Sequence, residues 1–217
     1  MQCVNVKHWL GKSKAIGTNE YDDYFNKTDI ILVPEGKGAG LAVDLTVGLP
    51  TSKLQYIRDE LIARGTLAQI KYYLPLTEPG LKSARKSDGY PVPLPLVVVG
   101  LSREEMRKVV ESYLKKEEGG VGDHVGLVML YQIKLQLAHF LRYCEQMGKA
   151  QPVIWRQHHA YKKASSEIEK AWEEKIVELK LNDTVATNYA MKNEFTKTLS
   201  TYLHEILPVD NKNRAAA

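Results

Sequence analysis

The spacing of apolar residues changes once along the chain, near residue 117, and this change limits the fold more than any other feature. Before it, short apolar runs typical of β-strands alternate with helical spacing; after it, the spacing is helical only. The change falls at a Gly-rich linker that ends at Gly122. We therefore expect an α/β fold with a helical C-terminal half. The predicted units are an α/β core over residues 1–117, a helical extension over 123–208, and a disordered tail or cloning remnant over 209–217.

Length, composition and cysteine content place the chain among ordinary globular proteins. It has 217 residues, of which 44% are hydrophobic and 26% charged, enough for one substantial core. A net charge of +4 permits contact with a polyanion without indicating a DNA-packaging protein. Cys3 and Cys144 lack metal-type spacing, the first residues lack the apolar core of a signal peptide, and no run of about 18 apolar residues occurs. We expect an intracellular, cytoplasmic protein without a membrane span.

The first half contains a predicted hairpin followed by a helix and further strands. The predicted elements are a strand over 29–34, a Gly-rich turn over 35–40, a strand over 41–47, a helix over 52–64 closed by Gly65, and strands near 67–74 and 94–100. The three glycines of the turn lead into a strand and lack a following Gly-Lys-Ser/Thr, which favours a hairpin turn over a phosphate loop. Ser102 and Glu105 form a predicted capping box that opens another helix. Its predicted buried stripe is Met106, Val109, Val110, Tyr113 and Leu114.

The second half is predicted to build helices and an oligomer. Residues 125–144 are apolar nearly all round, which is typical of a central buried helix or an oligomer contact. The stripe of Ile168, Trp172 and Ile176 is typical of a core or a subunit interface. We expect a homodimer or higher oligomer. The adjacent His158 and His159 lack a partner at ligand spacing and are interpreted as solvated.

Asp44 is the residue most suggestive of chemistry. It lies in the middle of the strand Leu41-Ala-Val-Asp-Leu-Thr-Val47, and a buried carboxylate there needs a cation, a metal or hydrogen-bond donors. Hairpin pairing can bring Asp29 to the same end of the sheet. If the strand over 67–74 lies parallel beside that of Asp44 through a right-handed crossover, Lys71 approaches the acids. Glu20 is a candidate third carboxylate from a helix start.

The order strand, acid, hairpin, acid, helix, strand resembles the core of the PD-(D/E)XK nuclease superfamily, which includes archaeal Holliday junction resolvases. The resemblance covers roughly residues 18–100 and implies a restriction-endonuclease-like mixed sheet flanked by helices. It places the family's two acids at Asp29 and Asp44, whereas Thr46 stands where the catalytic lysine is expected. In size and style the chain also resembles small proteins of spindle-shaped archaeal viruses.

The resemblance implies a site in which Asp29 and Asp44 bind Mg²⁺ or Mn²⁺, hard ions that prefer oxygen ligands. Glu20 would add a carboxylate, Lys71 would orient water or stabilise the phosphate, and Gln69 would position it. The implied partner is DNA, recognised by shape through backbone phosphates. The predicted phosphate-binding residues are Lys37, Lys82, Arg85 and Lys86.

Structural roles for the same residues stay open. Strand aspartates such as Asp29 and Asp44 often cap turns or pair with surface lysines, Glu20 suits a helix surface, and Lys71 suits an exposed strand position. Three functions follow. The first is a metal-dependent DNA endonuclease acting on branched or single-stranded DNA. The second is an inactive nuclease-fold protein that binds nucleic acid or assembles, as Thr46 suggests, and the third is an oligomeric scaffold without a nucleic-acid role.

Overall fold

The computed structural model describes residues 13–18, 23, 27–33, 40–47, 51–71, 91–114 and 121–207. The strands are β1 Lys14–Gly17, β2 Ile30–Val33, β3 Leu41–Thr46, β4 Ala68–Ile70, β5 Val92–Leu94 and β6 Leu96–Gly100. The helices are α1 Thr51–Tyr56, which continues as a π-helical segment Ile57–Ile62, then α2 Arg103–Leu114, α3 Val121–Met147, α4 Pro152–Trp155, α5 His158–Glu178, α6 Asp183–Met191 and α7 Glu194–Ile206. The predicted α/β class with a small mixed sheet and many helices is confirmed.

The main sheet has the strand order β1-β2-β3-β6. Strands β1, β2 and β3 are antiparallel neighbours, which confirms the predicted hairpin, and β6 lies parallel to β3. The predicted helix over 52–64 is also present between β3 and the later strands, as α1 and its π-helical continuation. The hairpin's turn, residues 34–39, lies outside the described residues.

The predicted pairing of the strand over 67–74 with β3 is wrong. Among the described residues of that segment, 67–71, Ala68–Ile70 form a strand, and this strand pairs antiparallel with β5 in a separate sheet of two strands. The parallel neighbour of β3 is instead β6, whose five residues are all buried. A strand covered on both faces needs a continuous apolar run, and Leu96–Gly100 has one whereas Ala68–Ile70 alternates between buried and exposed.

Helix α3 is the central helix of the chain, as its sequence predicts. Its fully buried residues include Leu127, Leu130, Ile133, Leu137 and Phe140. Two buried glutamines on the same helix form hydrogen bonds with the backbone of β6, an edge strand of the main sheet. Gln136 accepts from Val98 N at 2.9 Å and donates to Val98 O at 2.7 Å, and Gln132 does the same with Gly100 at 2.9 and 3.1 Å. Within the described part of the chain, no helix is long and apolar enough to cross a membrane.

The end of the π-helical segment and the residues just after it contact the helical half of the chain. Gly65 has a φ of +64°, and a Cβ built on it would lie 1.9 Å from the carbonyl oxygen of Val153. The side chain of Gln157 donates to the Ile62 carbonyl at 3.0 Å. Apolar residues from the sheet and from α3, α5 and α7 form one continuous core, in which Trp172 is 1% exposed and therefore packs within its own chain.

Helix α2 has the predicted cap but not the predicted burial. Ser102 N donates to Glu105 Oε2 at 2.7 Å and Glu105 N donates to Ser102 Oγ at 3.1 Å, which is a reciprocal capping box. Met106 and Val110 are 42% and 49% exposed, so the predicted buried stripe is wrong at these positions. Helical spacing defines an apolar face but not whether another element covers it. The side chains at 109, 113 and 114 lie outside the described residues.

Candidate active site

The structure brings Asp29 and Asp44 together. Asp29 precedes β2 and is held against β3, since its backbone N–H donates to the Val43 carbonyl at 3.0 Å. Its Oδ2 accepts from the backbone N–H of Leu45 at 2.5 Å, and Leu45 is the residue after Asp44. The nearby Asp29 carboxyl group contributes to a raised pKa of Asp44. The local pairing of the hairpin is therefore what makes the pair.

Asp44 is a buried carboxylate with one cationic partner. Its residue surface is 2% exposed, and its Oδ1 accepts a hydrogen bond from the amine of Lys53. Lys53 lies in the first turn of α1, and its amine also donates to the Leu45 carbonyl at 3.0 Å. Asp44 Oδ2 is buried without a hydrogen-bond partner in the described part of the chain. The site thus contains one acceptor that no described residue uses.

Burial and neighbouring acids disfavour the ionised form of this cluster. Burial raises the pKa of Asp44 to about 7, Lys53 opposes the rise, and Asp29 adds to it. The pKa of Asp23 is also raised, by burial first and then by the charge and hydrogen bond of Asp29. Asp29 therefore links two other carboxyl groups. The charges of Lys53 and Lys27 oppose the rise in the pKa of Asp23.

The remaining predicted catalytic residues do not join this cluster among the described residues. Lys71 follows β4 in the second sheet, and the charges that shift the pKa of Asp44 are those of Lys53 and Asp29. The Gln69 side chain is exposed and donates to the Leu67 carbonyl at 3.0 Å. Glu20 and the predicted phosphate-binding residues lie outside the described residues: Lys37, Lys82, Arg85 and Lys86.

Sequence reasoning missed Lys53 and Asp23. Lys53 belongs to the predicted helix over 52–64, and the available signal was that this helix begins within a few residues of the end of the Asp44 strand. A lysine in the first turn of such a helix can turn back to that strand end. Asp23 is three residues after Glu20, a spacing that puts both on one face of a helix, but only Glu20 was predicted as a site residue.

The two strand carboxylates fit a hard divalent cation. Mg²⁺ commonly binds through one or two carboxylates and retains several waters, and the unpartnered Asp44 Oδ2 and the raised pKa of Asp44 are what an added cation would relieve. Among the described residues, no group of three or more His, Cys, Asp or Glu is arranged to hold a metal. The fit therefore rests on Asp29 and Asp44 with water completing the shell.

Comparisons with protein-family models, curated proteins and solved structures return no match for this chain. The assignment of function must therefore come from the geometry of the site itself.

Proposed function

We propose that the chain is a metal-dependent DNA endonuclease with a restriction-endonuclease-like core. The observation that carries the proposal is the cluster of Asp29, Asp44 and Lys53, in which two carboxylates and one amine meet at one end of the sheet. Two acids and a lysine are the set required for hydrolysis of a phosphodiester in the nuclease superfamily that the sequence resembles. We include structure-specific cleavage of branched or single-stranded DNA in the proposal.

The order and direction of the strands support this proposal. The hairpin of β2 and β3 is followed by a helix and later by β6, which lies parallel to β3. The resemblance implies a hairpin, a helix and a further strand in this order and a mixed sheet. The acids lie just before β2 and within β3, at the two positions that the resemblance assigns to them. The amine is supplied from another position: Thr46 occupies the expected place of the lysine, and Lys53 from α1 reaches the carboxylate instead.

Each residue has a distinct part in the proposed reaction. Asp29 and Asp44 would hold Mg²⁺ or Mn²⁺, which lowers the pKa of a bound water and offsets charge on the phosphate. Asp29 is oriented for this by the backbone N–H of Leu45. The amine of Lys53 lies beside Asp44, where it would stabilise the negative charge that develops during phosphoryl transfer.

Cleavage assays test the proposal directly. We expect cleavage of branched, single-stranded or duplex DNA with Mg²⁺ or Mn²⁺, and a loss of about 100-fold or more in Asp44→Asn and in Lys53→Met, the scale of removing a group that stabilises transition-state charge. We call α1 and its π-helical continuation, residues 51–62, the helical rod. Asp59→Asn is the matched control, because Asp59 also lies in the helical rod but pairs with Arg58 on the surface. Equal activity in Asp44→Asn and the wild type would sink the proposal.

The second candidate is an inactive nuclease-fold protein that binds nucleic acid or assembles. Two observations favour it: Lys53 already occupies one oxygen of Asp44, and no third metal ligand occurs among the described residues. Binding of DNA that weakens with salt, together with no cleavage of any of the three substrates, would select this function. The apolar segment predicted as an oligomer contact is used in the chain's own core, so an oligomer would need another surface.

A further inference from the structure

An exposed aromatic ring lies beside the point where the helical rod of Lys53 is seated on the helical half. Trp155 ends α4 and is 48% exposed. Val153, on the same short helix, contacts Gly65, which follows the rod. Lys53 is near the other end of the rod, roughly 15–18 Å away at the rise of a helix. The ring and the acidic site are therefore separated by about one short helix.

The ring of Trp155 is held in a fixed orientation although it is exposed. It stacks on the imidazole of His158, with ring centroids 4.1 Å apart and an angle of 9° between the planes. His158 in turn contacts the Glu145 carboxylate at 3.3 Å. Gly148 lies so close to the ring edge that a Cβ there would be 2.9 Å from Trp155 Cε3. An exposed tryptophan with its orientation fixed by neighbours is suited to stacking against a planar ligand.

Three exposed cations lie close to Trp155 and His158 in the sequence. Lys149 follows Gly148, Arg156 follows Trp155, and Lys162 lies one helical turn beyond His158. None of the three forms an ion pair with a residue that the structure describes. By contrast, Arg58, Arg64 and Lys134 each pair with a carboxylate. We call Trp155, His158, Lys149, Arg156 and Lys162 the Trp155 surface.

We propose that the Trp155 surface binds a single-stranded segment of nucleic acid, with one base stacked on the ring of Trp155 and phosphates on Lys149, Arg156 and Lys162. An aromatic platform combined with unpaired cations is the composition by which proteins hold single strands without reading sequence. Duplex DNA keeps its bases stacked inside and offers phosphates only. The inference extends the proposed function, since nucleic acid is the partner in both, but it concerns a surface separate from the acidic site.

Binding measured without divalent metal tests this surface alone. We would titrate a fluorescent oligothymidylate of about twelve nucleotides and follow anisotropy together with tryptophan emission. Trp155→Ala should weaken binding about 5- to 100-fold, the range for loss of one stacked base, while Trp155→Phe keeps most of the affinity. The triple change of Lys149, Arg156 and Lys162 to Gln should also flatten the dependence of affinity on salt.

Controls separate this inference from the proposed nuclease. Lys180→Gln removes an exposed cation just after the end of α5, about 30 Å from His158 at the rise of a helix, and should leave binding within twofold. Unchanged affinity in both Trp155→Ala and the triple variant, with normal circular dichroism, would overturn the inference. Oligothymidylate binding that depends on Trp155 in a protein without cleavage would refute the nuclease and keep this surface. Cleavage together with Trp155-independent binding would do the reverse. Equal competition by polyglutamate would assign the surface to an acidic protein instead.

Discussion

Strands β3 and β6 lie side by side, and each contains buried polar groups. The two strands differ in whether these groups have hydrogen-bond partners. Val98 of β6 is the direct neighbour of Asp44 in the parallel register. The backbone N–H and C=O of Val98 are both bonded by Gln136, whereas Asp44 keeps one buried oxygen without a partner in the described part of the chain. Asp44 is 2% exposed and Val98 is 0% exposed, so these two positions differ in hydrogen-bond satisfaction rather than in burial.

The difference separates a structural polar group from a candidate functional one. A buried polar atom costs about 1–3 kcal/mol when left unpaired, so Gln136 is well accounted for by the two bonds that it makes to β6. Asp44 is only partly accounted for by Lys53. A bound cation could offset the remaining cost at Asp44. The following experiments test this difference between the two strands.

Replacing Gln136 with Leu should have the largest effect on stability. The change leaves Val98 N and O buried without partners, and we expect the free energy of unfolding to fall by about 2–6 kcal/mol, twice the cost of one unpaired group. Urea denaturation measures it. Gln55→Leu on the exposed side of α1 is the control and should change stability by about 0.5 kcal/mol or less. A small effect at Gln136 would mean that its backbone bonds contribute little.

Replacing Lys53 with Met should also lower the free energy of unfolding, by less than the change at Gln136. The change removes the partner of a buried carboxylate, but the lysine side chain is 30% exposed, so solvent reduces the effect to about 1–3 kcal/mol at pH 8. Since Lys53 opposes the upward shift in the pKa of Asp44, its loss should raise that pKa further. Carbon-13 titration of the aspartate carboxyls measures the pKa, and a value unchanged from the wild type would contradict the pair.

Replacing Asp44 with Asn should produce a pH-dependent gain in stability. The pKa of Asp44 is raised in the folded chain to about 7 from an unfolded value of about 3.9. Its stability contribution is therefore complete below about pH 4 and is lost as pH rises through about 7. Without divalent metal, the wild type should lose stability relative to Asp44→Asn across this range. Parallel curves for the two proteins would mean that Asp44 is not the titrating group.

Adding Mg²⁺ or Mn²⁺ should have the smallest effect of the four. A ligand at ten times its Kd stabilises the folded state by about 1.4 kcal/mol, and binding should shift the melting temperature upward at pH 8 more than at pH 5, where Asp44 is protonated. Asp44→Asn should lose most of the shift, whereas Asp59→Asn should keep it. An equal shift in all three proteins would indicate non-specific binding.

Local patterns predicted much of this fold, and non-local pairing accounts for the main error. The hairpin of Asp29 and Asp44, the helix that begins near Thr51 and the capping box at Ser102 depend on residues close in sequence, and all three are present. The partner strand of β3 depends on a choice between two distant segments. The period of 67–74 suggested one segment, but the continuous apolar run of Leu96–Gly100 selects the other, since only that run suits burial on both faces.

The same distinction explains which site residues could be predicted. Asp29 and Asp44 follow from a hairpin, whereas the proposed role of Lys71 required the wrong strand pairing. Lys53 lies nine residues from Asp44, in a helix that was itself predicted, but its direction depends on the connection between β3 and α1. Gln132 and Gln136 were predicted only as part of an apolar helix. Their i and i+4 spacing matches alternate residues of a strand edge, a pattern that apolar periodicity cannot reveal.

Gly65 and Lys53 lie near opposite ends of the helical rod. No side chain fits between this residue and the Val153 carbonyl. The chain at this end of the helical rod therefore contacts backbone atoms, which cannot change rotamer as a side chain can. An alanine at Gly65 would have to displace either Val153 or the end of the helical segment that contains Lys53. A substitution at Gly65 can therefore shift Lys53 relative to Asp44 without contacting either residue.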